Sequence, residues 1–202
     1  FADIYAQTVT YALLLAKLDG ANVLDSASAV KTLKKGHELL SSALKILTDD
    51  DLKEELGSGL ETLLRVINDL DAKVFKAQEE KLWLYFYEYF LEVYDRELRN
   101  KYGVYYTPTQ VIGVQVRLVD EVLKTRLGKA QGFADKSVLL LDPAAGTGAY
   151  PLAVIQHALG EAESYGAGMV AQVATDLAST THAFEILVGP YAVAHLRISQ
   201  AI

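Results

Sequence analysis

The residues best suited to chemistry lie between positions 137 and 150, where Ser137-Val138-Leu139-Leu140-Leu141-Asp142-Pro143-Ala144-Ala145-Gly146-Thr147-Gly148-Ala149-Tyr150 passes from an apolar run through an acid into small residues. A short apolar run ended by turn residues predicts a buried parallel strand, then a tight turn and a helix over about residues 149–159. Open α/β sheets receive ligands at the carboxyl ends of their strands, and Ala144, Gly146 and Gly148 would let a ligand approach the backbone there. A glycine-rich turn with no ligand fits the same residues. Two phosphate-binding loops do not. A Walker A loop needs Gly-Lys-Ser/Thr, and no Lys follows Gly148. The dinucleotide fingerprint has its third glycine where Pro151 stands.

An acid directly before the glycines, in place of a phosphate cradle, suits a ligand that carries an amino group and no phosphate. S-adenosylmethionine is such a ligand. Thr181-His182-Ala183-Phe184-Glu185 predicts a short second strand ending in an acid, and Pro190 to Ile202 a further helix. A carboxylate after the second strand is what a ribose with two hydroxyls requires. Glu185 taken alone also reads as a surface carboxylate. A third stretch, Gly103 to Gln110, predicts a capped helix start, with Thr107 on the free N–H groups, Pro108 at the first helical position and Gln110 reaching back. That helix would run from Val111 through Leu123, and its N-terminus could also hold a carboxylate.

The elements that must position these residues differ between the two halves of the chain. All four prolines and ten of the fourteen glycines follow residue 100. The first hundred residues carry 12 basic against 18 acidic side chains, the remainder 7 against 8. In the first half apolar residues recur at helical spacing: Tyr5, Val9, Leu13 and Leu14, then Leu33, Leu40, Leu44 and Leu47, then Leu60, Leu63, Leu64 and Ile67. An all-helical region is expected, broken at Gly20 and at Gly57-Ser58-Gly59. Thr48 to Asp51 supplies carboxylates for a helix start near residue 51. Glu79 to Arg99 is a long helix candidate with Trp83, Tyr85, Phe86, Tyr87, Tyr89, Phe90 and Tyr94. This aromatic set could stack bases, but without interleaved basic residues it reads as core or domain interface. Glu88 and Glu92, one turn apart, read as a solvated helix edge before they read as an acid/base pair.

Composition bounds the rest. With 202 residues, 51% hydrophobic and 22% charged, the chain is globular and forms one or two domains. No apolar run nears the roughly 18 residues that cross a bilayer, and no leader pattern opens the chain, so no membrane partner is expected and the default setting is cytoplasmic. The absence of Cys excludes disulfides, thiolate metal sites and a cysteine nucleophile. His37, His157, His182 and His195 lack metal spacing and are read as structural; no metal site is expected. A net charge of −7 argues against this segment alone wrapping a nucleic-acid backbone. Because the chain opens on Phe1 and its single Met is Met169, it is read as a piece of a longer protein.

Four stretches, in order, resemble the adenine-specific, amino-methylating DNA methyltransferases of restriction-modification systems: Tyr85 to Tyr94 (YFYEYFLEVY) with Arg99, Gly103 to Val111 (GVYYTPTQV), Leu141 to Tyr150 (LDPAAGTGAY) and Phe184 to Leu196 (FEILVGPYAVAHL). The chain is most similar to large single-polypeptide enzymes in which a helical region precedes the methylase. The likeness is dense over residues 80–202 and thin over 1–79, where only Phe1 to Leu18 looks familiar. It implies an α/β architecture: a helical N-terminal region over residues 1–100, then over residues 101–202 the first, incomplete part of a Rossmann-like S-adenosylmethionine-dependent methyltransferase fold. By this resemblance Tyr106, Thr107 and Pro108 contact the methionine part of the cofactor. Asp142, Ala144, Gly146, Thr147 and Gly148 form the loop beneath it, and Glu185 holds the ribose hydroxyls. Ala145 replaces a Cys common in the family, one small residue for another.

The family's Asn/Asp-Pro-Pro-aromatic motif, which grips a flipped adenine, is absent, since no Pro-Pro pair occurs in the chain. It is expected beyond Ile202, so no catalytic residue is assigned and the fragment is expected to be inactive alone. The implied partners are duplex DNA through the full-length parent, with nuclease, helicase or specificity parts. Two other readings stay open: a helical interaction or connector module with a nonbinding lobe, and a methyltransferase for RNA, protein or a small molecule.

Overall fold

A computed structural model describes residues 2–20, 23–71 and 107–202. The expected aromatic helix over 79–99, the Glu88/Glu92 pair and Tyr106 lie outside the described residues. The chain divides into two compact units, Phe1–Phe86 with Leu187–Ala192, and Tyr87–Ile186 with Val193–Ile202.

In the first unit the expected helices form as α1 (Ala2–Leu18), α2 (Ser26–Leu33), α3 (Glu38–Leu47) and α4 (Asp50–Asp69). Helix α1 buries nearly every side chain from Val9 to Leu18. A helix apolar on so many sides must sit among other helices, and the buried Leu33, Leu40, Leu44, Leu60 and Ile67 of α2, α3 and α4 supply that packing. Gly20, with φ +102°, turns the chain after α1, a conformation that disfavours a side chain. Helix α2 opens with a reciprocal cap: Ser28 N–H donates to Asp25 Oδ1 at 2.7 Å, and Asp25 N–H donates to Ser28 Oγ at 2.9 Å. Asp49 caps α4 through the Asp50 N–H at 2.6 Å. Near the other end of α4, Asn68 clamps the α1–α2 connection, accepting from Leu24 N–H at 2.7 Å and donating to Leu24 O at 2.9 Å.

One expected break is absent. Helix α4 runs through Gly57 and Gly59 without interruption. Two glycines inside a helix cost about 1 kcal/mol each, which the burial of Leu60 and Ile67 on one face outweighs. Among the described residues a Cβ at either glycine would meet nothing within 4 Å.

The second unit contains α5 (Thr109–Arg126), a 3-10 turn at Gly132–Ala134, β1 (Leu140–Asp142), α6 (Ala149–Ala162), a 3-10 turn at Glu163–Tyr165, α7 (Ala167–Thr180), β2 (Thr181–Ala183) and the part of α8 (Val188–Ala201) from Val193 onward. The strands pair in parallel, with Leu140 opposite Thr181, Leu141 opposite His182 and Asp142 opposite Ala183. Parallel strands need a crossover connection, here made by α6 and α7. Helix α7 was not among the expected elements, although Val170, Val173, Ala174 and Leu177 carry its helical spacing. The core joins Ile112 and Val116 of α5, Phe133, Val154, Ile155, Ala158 and Ala162 of α6, and Val173 and Leu177 of α7.

The first strand is not buried as expected. Val138 and Leu140 pack against the core, whereas Leu139 and Leu141 are 71% and 57% exposed. Side chains alternate across a strand, so only one face of β1 meets the helices. The start of α5 also differs from expectation. Pro108 is the flanking residue, Thr109 the first helical one, and no side chain among the described residues caps the helix. Pro108 holds φ −55° and ψ 136°, an extended ψ that keeps it outside the helix while its carbonyl takes the N–H groups of Val111 and Ile112. Gln110 instead meets Thr109 Oγ1 at 3.5 Å.

Below the core, Asp120 ties α5 to its surroundings. Its side chain is 5% exposed and accepts from Phe133 N–H at 3.0 Å, with Lys124 Nζ at 2.6 Å and His157 Nε2 at 3.0 Å. Gly132 lies directly against it: a Cβ there would fall 1.9 Å from Asp120 Oδ1, and its φ is +57°. Burial pushes the Asp120 carboxyl up, but the Lys124, His157 and Phe133 bonds outweigh it and hold the group below the ordinary carboxylate value. Burial likewise pulls Lys124 down, and its bonds to Asp120 and Glu161 outweigh that and raise it. A lowered carboxyl contributes stability that is present above its unfolded pKa and lost as pH falls through the folded one; for the raised lysine the loss comes as pH rises. Urea unfolding should therefore show stability declining below about pH 4. Asp120→Asn should cost about 3 kcal/mol at neutral pH and flatten that acid decline; an unchanged acid limb would contradict this account.

Candidate loop at the carboxyl ends of the strands

The strand pairing continues into the loop that follows β1. Phe184 N–H donates to Asp142 O at 2.9 Å, and Ala145 N–H donates to Phe184 O at 2.9 Å. The carboxylate Oδ1 of Asp142 accepts from Ala144 N–H at 3.1 Å, the side-chain turn that Asp favours at a strand end. Glu185, one residue beyond Phe184, is carried to the same loop, where its Oε2 accepts from Gly146 N–H at 2.9 Å. Gly148 N–H donates to Ala145 O at 2.8 Å and opens α6. Arg197 of α8 donates from Nη1 to Thr147 O at 3.0 Å, in a buried bond.

Asp142, Ala144, Gly146, Thr147, Gly148 and Glu185 are thus brought together. Thr107 and Pro108 stand at the start of α5, outside this set of bonds. Ala144 is exposed and Asp142 half-buried, so the acid end of the loop is accessible. Thr147 is 1% exposed, and its Oγ1 has no hydrogen-bond partner among the described residues. Arg197 was missed from sequence, though one signal marked it: no other Lys or Arg follows Lys136.

The two glycines serve different ends. Both have positive φ, +56° at Gly146 and +76° at Gly148, which side chains rarely adopt. A Cβ at Gly148 would lie 3.0 Å from Ala194 Cβ and 3.2 Å from Ala194 Cα, so this glycine lets α8 close against the start of α6. At Gly146 a Cβ would meet nothing within 4 Å among the described residues, which leave the space over that peptide open. The loop therefore offers backbone approach at Gly146 and Ala144, not at Gly148.

A second cluster has the makings of a metal site, since Asp120, His157 and Glu161 place one ligand atom each within 4.8 Å of one another. Lys124 Nζ already lies 2.6 Å from Asp120 Oδ2 and 2.6 Å from Glu161 Oε1. An ammonium in hydrogen-bond contact with both carboxylates offsets half of the negative charge that would attract a cation.

The difference between the glycines is measurable in stability. Gly146→Ala carries only the left-handed backbone penalty, about 1–2 kcal/mol. Gly148→Ala adds overpacking against Ala194, about 1–3 kcal/mol more. Urea titrations should rank wild type above Gly146→Ala and that above Gly148→Ala; equal losses would contradict the packing role of Gly148.

Comparison with known proteins places these features in context. No curated protein sequence matches the chain at a significant level. Among solved structures, the chain is similar to the DrdV–DNA complex solved by cryo-electron microscopy, with 18% identity over 98% of this chain and 18% of that one, at a TM-score of 0.60. It is also similar to a nuclease-deletion mutant of the Type ISP restriction-modification enzyme LlaGI with a DNA substrate mimic, with 22% identity over 98% of this chain and 17% of that one, at 0.58. The ATP-dependent Type ISP restriction-modification enzyme LlaBIII bound to DNA gives 22% identity over 99% of this chain and 13% of that one, also at 0.58. These matches show a shared fold, and the chain spans less than a fifth of each. The family model described as N-6 DNA Methylase matches residues 81–181, which is half of the 202 residues and includes β1, the loop and the start of β2. The chain belongs to the N-6 DNA methylase family.

Proposed function

We propose that this chain is the S-adenosylmethionine-binding part of an enzyme that methylates the exocyclic amino group of adenine in duplex DNA, within a restriction-modification or related defence system. The observation that carries the reading is the pair of carboxylates at the carboxyl ends of two adjacent parallel strands. Asp142 turns the loop, and Glu185 is bonded to its open glycine. Family membership supplies the reaction class, and the named neighbours, all DNA complexes, support duplex DNA as the partner. Two of them, a nuclease-deletion mutant and an ATP-dependent enzyme, support nuclease and ATP-driven parts on or beside the parent, the latter the place of the expected helicase.

The loop fits the cofactor on its own chemistry. The space that the described residues leave open over Gly146 admits a ligand to the backbone, and the two flanking carboxylates suit a cation and a diol while repelling phosphate. When bound, S-adenosylmethionine supplies a methyl group on a sulfonium centre. Glu185 would hold the ribose hydroxyls and the 142–148 loop would underlie the ligand. Thr107 and Pro108, with Tyr106, would meet its methionine end. Within this reading residues 1–100 are a helical region and residues 101–202 the opening part of a Rossmann-like fold, working in the cytoplasm. The exposed Leu139 and Leu141 support it, since a doubly wound sheet is covered on both faces. With no Pro-Pro pair in the chain, these residues hold the methyl donor and do not by themselves complete transfer.

Isothermal titration of S-adenosylmethionine into the chain tests the reading. Saturable one-site binding is expected, abolished by Asp142→Ala. Glu185→Gln, which keeps an acceptor for Gly146 N–H and removes the charge, should weaken binding about tenfold, or about 1.4 kcal/mol. A folded chain that takes up no cofactor, or a Glu185→Gln variant with wild-type affinity, would count against it.

A further inference from the structure

The bonds of the loop separate a side that can meet a ligand from a side that holds the loop in place. The accessible side is marked by exposed Ala144 and by the open space at Gly146. On the other side Thr147 is 1% exposed and Arg197 8%. The peptide between Thr147 and Gly148 is tied at both ends: its carbonyl accepts from Arg197 Nη1 at 3.0 Å, and its N–H donates to Ala145 O at 2.8 Å. The peptide between Ala145 and Gly146 is tied in turn, its carbonyl by Gly148 N–H and its own N–H by Glu185. The two share the Gly148 N–H to Ala145 O bond, so rotation of the first would disturb the second, on which Glu185 rests.

We propose that Arg197 is a positioning residue for the cofactor loop: its guanidinium, buried beneath Thr147, fixes the 147–148 peptide plane and through it the Gly146 peptide and the carboxylate of Glu185. The proposal rests on the cofactor reading above. Three features favour positioning over direct binding. A cation facing the ligand would oppose a sulfonium, whereas this one is buried and donates to a backbone carbonyl. A guanidinium is a poor space filler, because burying a charge is unfavourable unless it is well bonded. The same turn of α8 packs Ala194 and Ile198 against Gly148, so that helix holds both the backbone plane and the glycine beside it. A charge-assisted bond is roughly twice as strong as a neutral one, which suits an anchor for a loop that carries two positive-φ residues.

The test combines amide hydrogen exchange over residues 143–150 with S-adenosylmethionine titration, on wild type, Arg197→Met and Arg197→Lys. Arg197→Met should exchange at least tenfold faster over these residues, with α5 and α7 unchanged, and bind cofactor about tenfold more weakly. Arg197→Lys, which still offers a charged donor, should recover most of both. If Arg197→Met does not fold, Arg197→Gln, polar but too short to span the same gap, takes its place with the same expectations. A folded variant lacking the guanidinium that keeps wild-type exchange and affinity would overturn the proposal. So would a failure of Arg197→Lys to improve on Arg197→Met. A wild type that exchanges slowly over the loop yet takes up no S-adenosylmethionine would sink the cofactor reading itself and remove the role assigned to Arg197. That outcome is distinct, because it appears before any substitution is made.

Discussion

The second unit depends on the parallel pairing of two three-residue strands and its continuation through Phe184. A pair this short is weak alone, yet Phe184 extends it by one bond on each side, to Asp142 O and from Ala145 N–H. Those two bonds bring a residue of the second strand's exit beside the loop of the first. Glu185, forty-odd positions downstream in the chain, then has only one place to go. The carboxylates come together because the backbones pair; no direct interaction between them is needed, and two like charges would not provide one.

Much of this was legible in the sequence because the signals were local. The acid followed by Pro143 and small residues marks the turn whatever surrounds it, and the asymmetry of Pro and Gly separates a stretch of helices from one that also holds strands and tight turns. What was not legible depended on tertiary context. Gly57 and Gly59 look like a break, but α4 has a buried face that outweighs their propensity. Thr107-Pro108 looks like a cap, but the helix begins one residue later with the Pro108 carbonyl as its first acceptor. Leu139 to Leu141 looks like a strand buried on both faces, and only one face is covered among the described residues. The two glycines of the loop are equivalent in sequence; Ala194 and Ile198, about fifty positions away, distinguish them.

Two buried polar arrangements stabilise the unit by opposite means. Around Asp120 a charge is surrounded by donors from α5, the Gly132–Ala134 turn and α6, which joins three segments at one atom group. Gly132 must be glycine there because the carboxylate occupies the space of its Cβ. Around Thr147 the order is reversed, with a cation from α8 meeting a backbone carbonyl. The first arrangement locks the scaffold; the second locks a loop whose outer side must stay accessible.

That division follows from what a small-residue loop can and cannot do for itself. Ala144, Ala145 and Gly146 have no side chains long enough to hold a shape, and the two glycines at positive φ adopt a conformation that other residues rarely take. A site made of backbone is only as well ordered as the groups bonded to that backbone from outside. Here these groups come from three directions: Phe184 from the strand, Glu185 from its exit and Arg197 from the following helix. Only Glu185 among them combines a structural bond with a charge at the accessible side, so it cannot be optimised for either role alone. Arg197 and Phe184 share the structural part with it, so the Glu185 carboxylate is placed by its neighbours as well as by its own bond to Gly146 N–H.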